Sequence, residues 1–266
     1  MYRIILFVAA LVLPLLAGAQ QRPQAAAEQD SLRILWVGNS FTYYNDLPAM
    51  VQRIAATQKI KLSYAKITKG GEKLAGHLEN RRLLDTLARG GWDYVVLQEQ
   101  SSMPAMHSSA VAREVYPVAR TLDSLVHAAS PDAHVIFYMT WGHKYGNRKY
   151  VAEYPPINTY EGMSERLKAS YLEMAYDNDA WCAPVGMAWQ RVRSERPLLQ
   201  LYAQDCFHPS EAGSYLAANV FFATIFRRRY QTDYAASLPP ETAEYLQQAA
   251  QQTVFDNIGL LNLPQP

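Results

Sequence analysis

Cysteine is scarce in this chain: Cys182 and Cys206 are its only two in 266 residues. Two thiolates cannot fill a four-ligand structural zinc site, and no His pair at metal spacing stands near to complete one. Surplus charge is lacking as well, with 25 Lys and Arg against 24 Asp and Glu. That balance argues against a nucleic-acid partner, which needs an excess of cations to replace condensed counterions. Skewed usage is absent too. At 49% apolar and 18% charged residues, the composition excludes a disordered chain, a coiled coil and a collagen-like repeat. No internal repeat and no Pro-, Gly- or Ser-rich linker divides the chain, so residues 32–266 read as one domain.

Long apolar runs are missing save one, from Ile4 to Leu16. It follows Arg3 and precedes Ala17-Gly18-Ala19. The run falls short of the ~20 residues a spanning helix needs, and small residues at Ala17 and Ala19 suit signal peptidase. Residues 1–19 therefore read as a signal peptide, with an uncleaved anchor as the alternative, and residues 20–31 as a flexible lead-in. Export to the periplasm or beyond is implied, with no membrane partner after cleavage. The mature chain then carries 24 basic and 24 acidic residues over 247 positions. An oxidising compartment also permits a Cys182–Cys206 bridge, worth roughly 3 kcal/mol if unstrained; two free thiols are the alternative.

Apolar periodicity gives alternating elements after the lead-in. Strands are expected at 33–38, 62–67, 92–97, 133–140 and 179–185, and helices at 47–59, 74–88, 110–129, 160–176, 210–228 and 239–255. Strands such as Asp93-Tyr94-Val95-Val96-Leu97 are continuously apolar, as a parallel strand covered on both faces requires. The order predicts a three-layer α/β/α sandwich around a five-stranded parallel sheet, with functional groups on loops at the carboxyl ends of the strands.

The first such loop is Gly38-Asn39-Ser40-Phe41-Thr42. Ser40 there is either the N-cap of the following helix or a nucleophile at the mouth of the sheet. The best base is His208 in Asp205-Cys206-Phe207-His208-Pro209, where a carboxylate three residues away can orient the imidazole. Trp141 and His143 follow the fourth strand, and Asn39 and Asn45 flank Ser40, so these four are expected on the same rim as substrate contacts. Trp141 could equally be a packing residue. His77, His127 and His134 read as structural.

These motifs, in this order, resemble the SGNH hydrolases, the GDSL esterase and lipase superfamily. Gly38-Asn39-Ser40 matches its first block, Gly70-Gly71 its second and Asp205-x-x-His208 its last. The third block departs: the usual Gly-x-Asn-Asp is replaced by Leu97-Gln98-Glu99-Gln100-Ser101. In this the chain is similar to a secreted bacterial subgroup known only as a domain of unknown function, and to the Gln-Gly-Glu segment of the sialate and xylan O-acetylesterase branch. The resemblance implies a flavodoxin-like fold and a serine esterase with Ser40, His208 and Asp205 as its triad. Its oxyanion hole would comprise the backbone N–H groups of Ser40 and Gly71 and the amide of Gln98 or Gln100, with Gln100 favoured. No metal or organic cofactor is implied. The expected substrate is a short acyl ester, foremost an acetyl ester on carbohydrate. A lysophospholipase or thioesterase acting on lipid, and a carbohydrate-binding module with a vestigial site, are the alternatives.

Overall fold

The computed structural model describes residues 31–150 and 152–265; the signal peptide at 1–19 and nearly all of the lead-in at 20–31 lie outside them. Strands β1 (Leu32–Gly38), β2 (Leu62–Thr68), β3 (Tyr94–Leu97), β4 (His134–Tyr138) and β5 (Trp181–Ala183) pair in parallel in the order β2-β1-β3-β4-β5. Ile34 to Val37, Val95 to Leu97 and Val135 to Tyr138 are buried without alternation, because helices cover the sheet on both faces.

The helices in chain order are α1 (Ser40–Tyr43), α2 (Leu47–Thr57), α3 (Leu74–Leu78), α4 (Arg81–Ala88), α5 (Ser108–Glu114), α6 (Tyr116–Ala129), α7 (Tyr160–Asp177), α8 (Val185–Glu195), α9 (Glu211–Phe226) and α10 (Pro240–Phe255). One layer holds α2, α8, α9 and α10, and the other α3, α4, α6 and α7. α9 is buried at every position from Ala212 to Ile225. It lies against α2, α8, α10 and β5, so an amphipathic stripe would not serve it. Phe221 on this helix meets the rings of Trp36 and Tyr138 edge-on at 4.6 and 4.8 Å.

Several expected elements differ, each for a local reason. The helix expected at 74–88 is two, because the Asn80 side chain accepts from Arg82 N and Leu83 N and starts α4 afresh. The helix expected at 110–129 breaks at Val115, since Pro117 lacks the N–H an interior turn needs. The strand expected at 179–185 is only Trp181–Ala183. Pro184, which has no N–H to donate to the ladder, stands between it and α8, a helix that the periodicity did not predict.

The Cys182–Cys206 bridge is corrected: both thiols are free. Cys182 is fully buried in β5, opposite Phe137, whereas Cys206 lies on the loop before α9. The chain between them passes through α8, which carries the second cysteine away from the sheet interior. Burial pushes the Cys182 thiol well above its ordinary pKa, leaving it a small apolar core residue. Among the described residues no helix is long and apolar enough to cross a membrane.

The strand order reverses direction between β1 and β3, the place where open α/β sheets leave a crevice for a ligand. The register aligns Val37, Leu97, Phe137 and Cys182 across four strands. Consequently the segments after β1, β3 and β4 leave the sheet at one level, on one rim.

Candidate active site

The loop after β1 turns sharply because Gly38 has no side chain. A Cβ at that position would lie 2.5 Å from Thr42 Oγ1 and 2.7 Å from Gln98 Oε1. Asn39 then caps α1, its Oδ1 accepting from Phe41 N at 3.1 Å. Ser40 is therefore the first helical residue and not the cap. It is 8% exposed, and its hydroxyl is spent on no backbone group.

Instead the Ser40 hydroxyl donates to His208 Nε2 at 2.7 Å, and His208 Nδ1 donates to Asp205 Oδ2 at 2.6 Å. A carboxylate only accepts, so its position fixes the hydrogen on Nδ1 and leaves Nε2 free to take a proton. Asp205 serves two purposes, since Oδ1 accepts from Phe207 N and His208 N at 3.1 and 2.9 Å and so folds its own loop. Desolvation pushes the Asp205 carboxyl up, but the bonds from His208 and the two backbone N–H groups outweigh it and hold the carboxyl below its ordinary value. The imidazole itself is stacked on Tyr44 at 4.2 Å and flanked by Phe207 at 4.2 Å.

Three ties fix this loop, the last of them to the segment that follows Ser40. Tyr202 bridges Pro209, Ser210 caps α9 by accepting from Gly213 N, and Asn45 Nδ2 donates to Pro209 O and Ser214 Oγ at 3.2 and 2.9 Å. Asn45, expected at the substrate, is thus a strut between the loops.

On the other side of Ser40 runs the loop after β2. Asn39 Nδ2 donates to Glu72 O at 3.0 Å, which draws Gly71 beside the Ser40 loop. Gly71 adopts φ +68°, where a side chain is strained, and its N–H donates to no acceptor among the described residues. His77, fully buried as a structural residue should be, steadies the same region: its Nε2 meets Gly38 O at 2.9 Å, while Nδ1 has no partner.

The two glutamines separate clearly. Gln98 is fully buried; its Oε1 accepts from Asn39 N and Thr42 Oγ1, each at 2.9 Å, and its amide donates to Glu99 O. Both ends of its amide are engaged within a fully buried setting, so the expectation that it faces an oxyanion is corrected. Gln100 Oε1 accepts from Ser102 N and Met103 N at 2.9 and 3.2 Å, while its amide has only a long 3.4 Å contact with Ser101 Oγ. Its carbonyl is anchored and its donors are available.

No protein-family model matches the chain, and no curated protein matches it. Solved structures do. A candidate SGNH hydrolase from Slackia heliotrinireducens shares 32% identity with it at a TM-score of 0.59, over 99% of that chain and 73% of this one. The chain belongs to the SGNH hydrolases. A DUF4886 family protein from Bacteroides uniformis is 17% identical with a TM-score of 0.70, over 95% of its length and 85% of this chain. An acetylxylan esterase from Geobacillus stearothermophilus is 16% identical with a TM-score of 0.52, over 97% of its length and 76% of this chain. Those two likenesses concern the fold. As an SGNH hydrolase the protein is a serine ester hydrolase.

In this SGNH hydrolase the remaining expected substrate contacts divide. Asn39 uses both ends of its amide internally, as described, and so is a scaffold residue. Trp141 is fully buried, stacked between Phe41 at 4.7 Å and Trp189 at 3.9 Å, and it donates from Nε1 to Phe207 O. It packs under the His208 loop and cannot reach a ligand. His143 does line an open cavity of about 500 Å³, together with Tyr145, Arg148, Asp205, Cys206 and Phe207. Burial first, then the nearby His208, push its pKa down to about 4, against the pull of Asp205. Its ring is neutral near pH 7, with Nε2 3.2 Å from Ser101 Oγ. Three residues in or beside the motifs carry weight that the sequence reading did not assign them: Tyr44 against His208, Phe207 beside it, and the buried Glu99. Their place within or next to the motifs was the signal that could have pointed to them.

Proposed function

We propose that this SGNH hydrolase is an exported esterase that removes short acyl groups, foremost acetyl, from carbohydrate through Ser40, His208 and Asp205. The unbroken relay from Ser40 Oγ through His208 to Asp205 carries the reading. His208 takes the hydroxyl proton as Ser40 attacks the ester carbonyl, and Asp205 stabilises the resulting imidazolium. The Ser40 and Gly71 N–H groups and the Gln100 amide receive the oxyanion. The protonated His208 then gives its proton to the departing alcohol, and water activated by His208 frees the acid from the acyl-enzyme. The cavity beside the relay supports a sugar alcohol, because the Phe207 and Tyr145 rings offer faces for stacking while Arg148 and neutral His143 offer polar contacts. Such a mixed lining does not suit a long alkyl chain. The apolar run at Ile4 to Leu16 supports export.

Purified mature protein is expected to hydrolyse p-nitrophenyl acetate at least about 100-fold faster, by kcat/KM, than the palmitate ester. The reverse preference overturns the carbohydrate reading in favour of a lipid, and turnover of neither ester overturns the esterase. Acetate release from acetylated xylan, against an acetylated chitin control, checks the sugar.

The glutamines give a second expectation. Gln100→Ala should lower kcat per folded molecule by about 10²–10³, as loss of one oxyanion donor does, with some fall in Tm because Ser102 N and Met103 N lose their acceptor. Gln98→Ala should act through stability, since it strands the buried Asn39 N–H and Thr42 hydroxyl at about 1–3 kcal/mol each. Kinetics and thermal melts on both variants check it, and equal kinetic losses with equal melts would contradict the division.

A further inference from the structure

Glu99 takes no part in the relay, yet it is the acidic side chain buried most deeply beside it, at 2% exposed. No lysine or arginine pairs with it among the described residues. Its carboxylate is held by the backbone: Oε1 accepts from Gln100 N at 2.5 Å, and both oxygens accept from Leu74 N, at 3.2 and 3.3 Å. Leu74 opens α3, three residues after Gly71, whereas Gln100 follows β3. One side chain therefore clasps the β2–α3 loop to the segment after β3.

We propose that Glu99 is a positioning residue of the oxyanion hole, holding the loop that carries Gly71 at a fixed distance from the segment that carries Gln100. The inference rests on the reading of Gly71 and Gln100 as oxyanion donors. Ester hydrolysis needs such donors within about half an ångström of their working positions, and a shift near 1 Å costs on the order of 10²-fold. The sheet does not fix this distance, because β2 and β3 are not neighbours: β1 lies between them. Asn39 ties the β2 side to the nucleophile, Gln98 ties the β3 side to it, and Glu99 closes the third side.

The arrangement costs stability. Burial pushes the Glu99 carboxyl up to about 7, against the pull of the Gln100 and Leu74 N–H groups and of Lys73. Glu72 adds to the rise, and Tyr171 on α7, in the same layer as α3, also faces Glu99. With the folded value above the ordinary 4.5, the stability linked to its protonation is complete below that value and is lost as pH rises through about 7. An uncharged side chain would fold at least as well at pH 8. An acidic side chain buried at this cost, with its oxygens on Gln100 N and Leu74 N, points to the acceptor it supplies between the two loops.

A double-mutant cycle on p-nitrophenyl acetate tests this. Glu99→Asp keeps the charge but withdraws the acceptor by one methylene. It is expected to lower kcat about 10-fold at nearly constant KM in the native background, and less than about two-fold when Gln100→Ala has already removed the donor. Glu99→Gln, which retains an acceptor at Oε1, should restore kcat to within about three-fold while Tm at pH 8 equals or exceeds that of the native chain. Additive losses in the cycle, or an Asp variant whose kcat per folded molecule is unchanged, overturn the inference. A Gln variant that melts well below the native chain at pH 8 does so too, since it marks Glu99 as a structural clasp alone. No turnover by the native chain sinks the esterase reading and this inference together; native turnover with an unaffected Asp variant sinks the inference alone.

Discussion

Replacing Ser40 by alanine is expected to reduce ester turnover by about 10⁶-fold, the loss seen when a triad hydrolase is stripped of its nucleophile. Ser40 is nearly buried, at the first position of a one-turn helix, and its Oγ bonds to His208 alone. Alanine forfeits one hydrogen bond worth about 1 kcal/mol and creates no void larger than an oxygen, so the fold should persist. A kcat measurement paired with a thermal melt separates chemistry from stability. His208→Ala should lose a similar amount, and the double variant hardly more, because the two groups act in one step. Residual turnover would come from the oxyanion donors, which both variants keep. If Ser40→Ala retains a tenth of native activity, Ser40 is not the nucleophile. A serine-directed fluorophosphonate provides an independent check: it should label the native chain at Ser40 and leave the variant unlabelled.

Asp205→Asn should cost about 10⁴-fold in kcat with KM little changed. The remaining amide oxygen can still accept from Phe207 N and His208 N, so the loop keeps its shape. The amide nitrogen, however, presents hydrogens to His208 Nδ1. The imidazole then takes the other tautomer, with its hydrogen on Nε2 facing Ser40, where it cannot accept a proton. The pH dependence has a definite sign. The folded carboxyl titrates below its ordinary 3.8, so the stability it contributes is present above that value and is lost as pH falls through the lower folded one. Over about pH 5 to 9 Asp205 stays ionised, and an acid limb in native turnover reports other groups. A variant with native kcat would remove Asp205 from the relay, whereas a variant that fails only by unfolding would show a lowered Tm.

The sheet was readable from the chain because a parallel strand covered on both faces must be apolar throughout, and Arg33 to Gly38 or Asp93 to Leu97 can be little else. The helices covering it were less legible. α8 was missed because Trp181 to Val185 continues apolar past the end of the strand, and Pro184 marks a boundary only once the ladder is seen to stop there. Within the site, Ser40, Asp205 and His208 stood out as reactive residue types at loop positions after strands or before helices, and only the resemblance to the SGNH hydrolases joined them into a triad. The division of labour between Gln98 and Gln100 was not legible, since alternation places them on one side and says nothing of which amide meets Thr42. Trp141 misled for a related reason: it follows a strand toward the rim, but Trp189 and Phe41 are there to cover it.

By itself the sequence determined the layers, the order of the motifs and three candidate relay residues that the family resemblance joins into a triad, because periodicity and reactive side-chain types are local properties of a chain. Only the tertiary structure decided that Asn39 caps the helix and frees the Ser40 hydroxyl, that Gln98 supports from within while the Gln100 amide is left with one long contact, that Cys182 and Cys206 stay apart, and that Glu99 clasps two loops on non-adjacent strands. Most of these depend on which groups meet across long stretches of chain, from 25 residues between Glu99 and Leu74 to 168 between Ser40 and His208. A hydrogen bond is directional and short-ranged, so its partner is chosen only when packing has brought the strands to one rim.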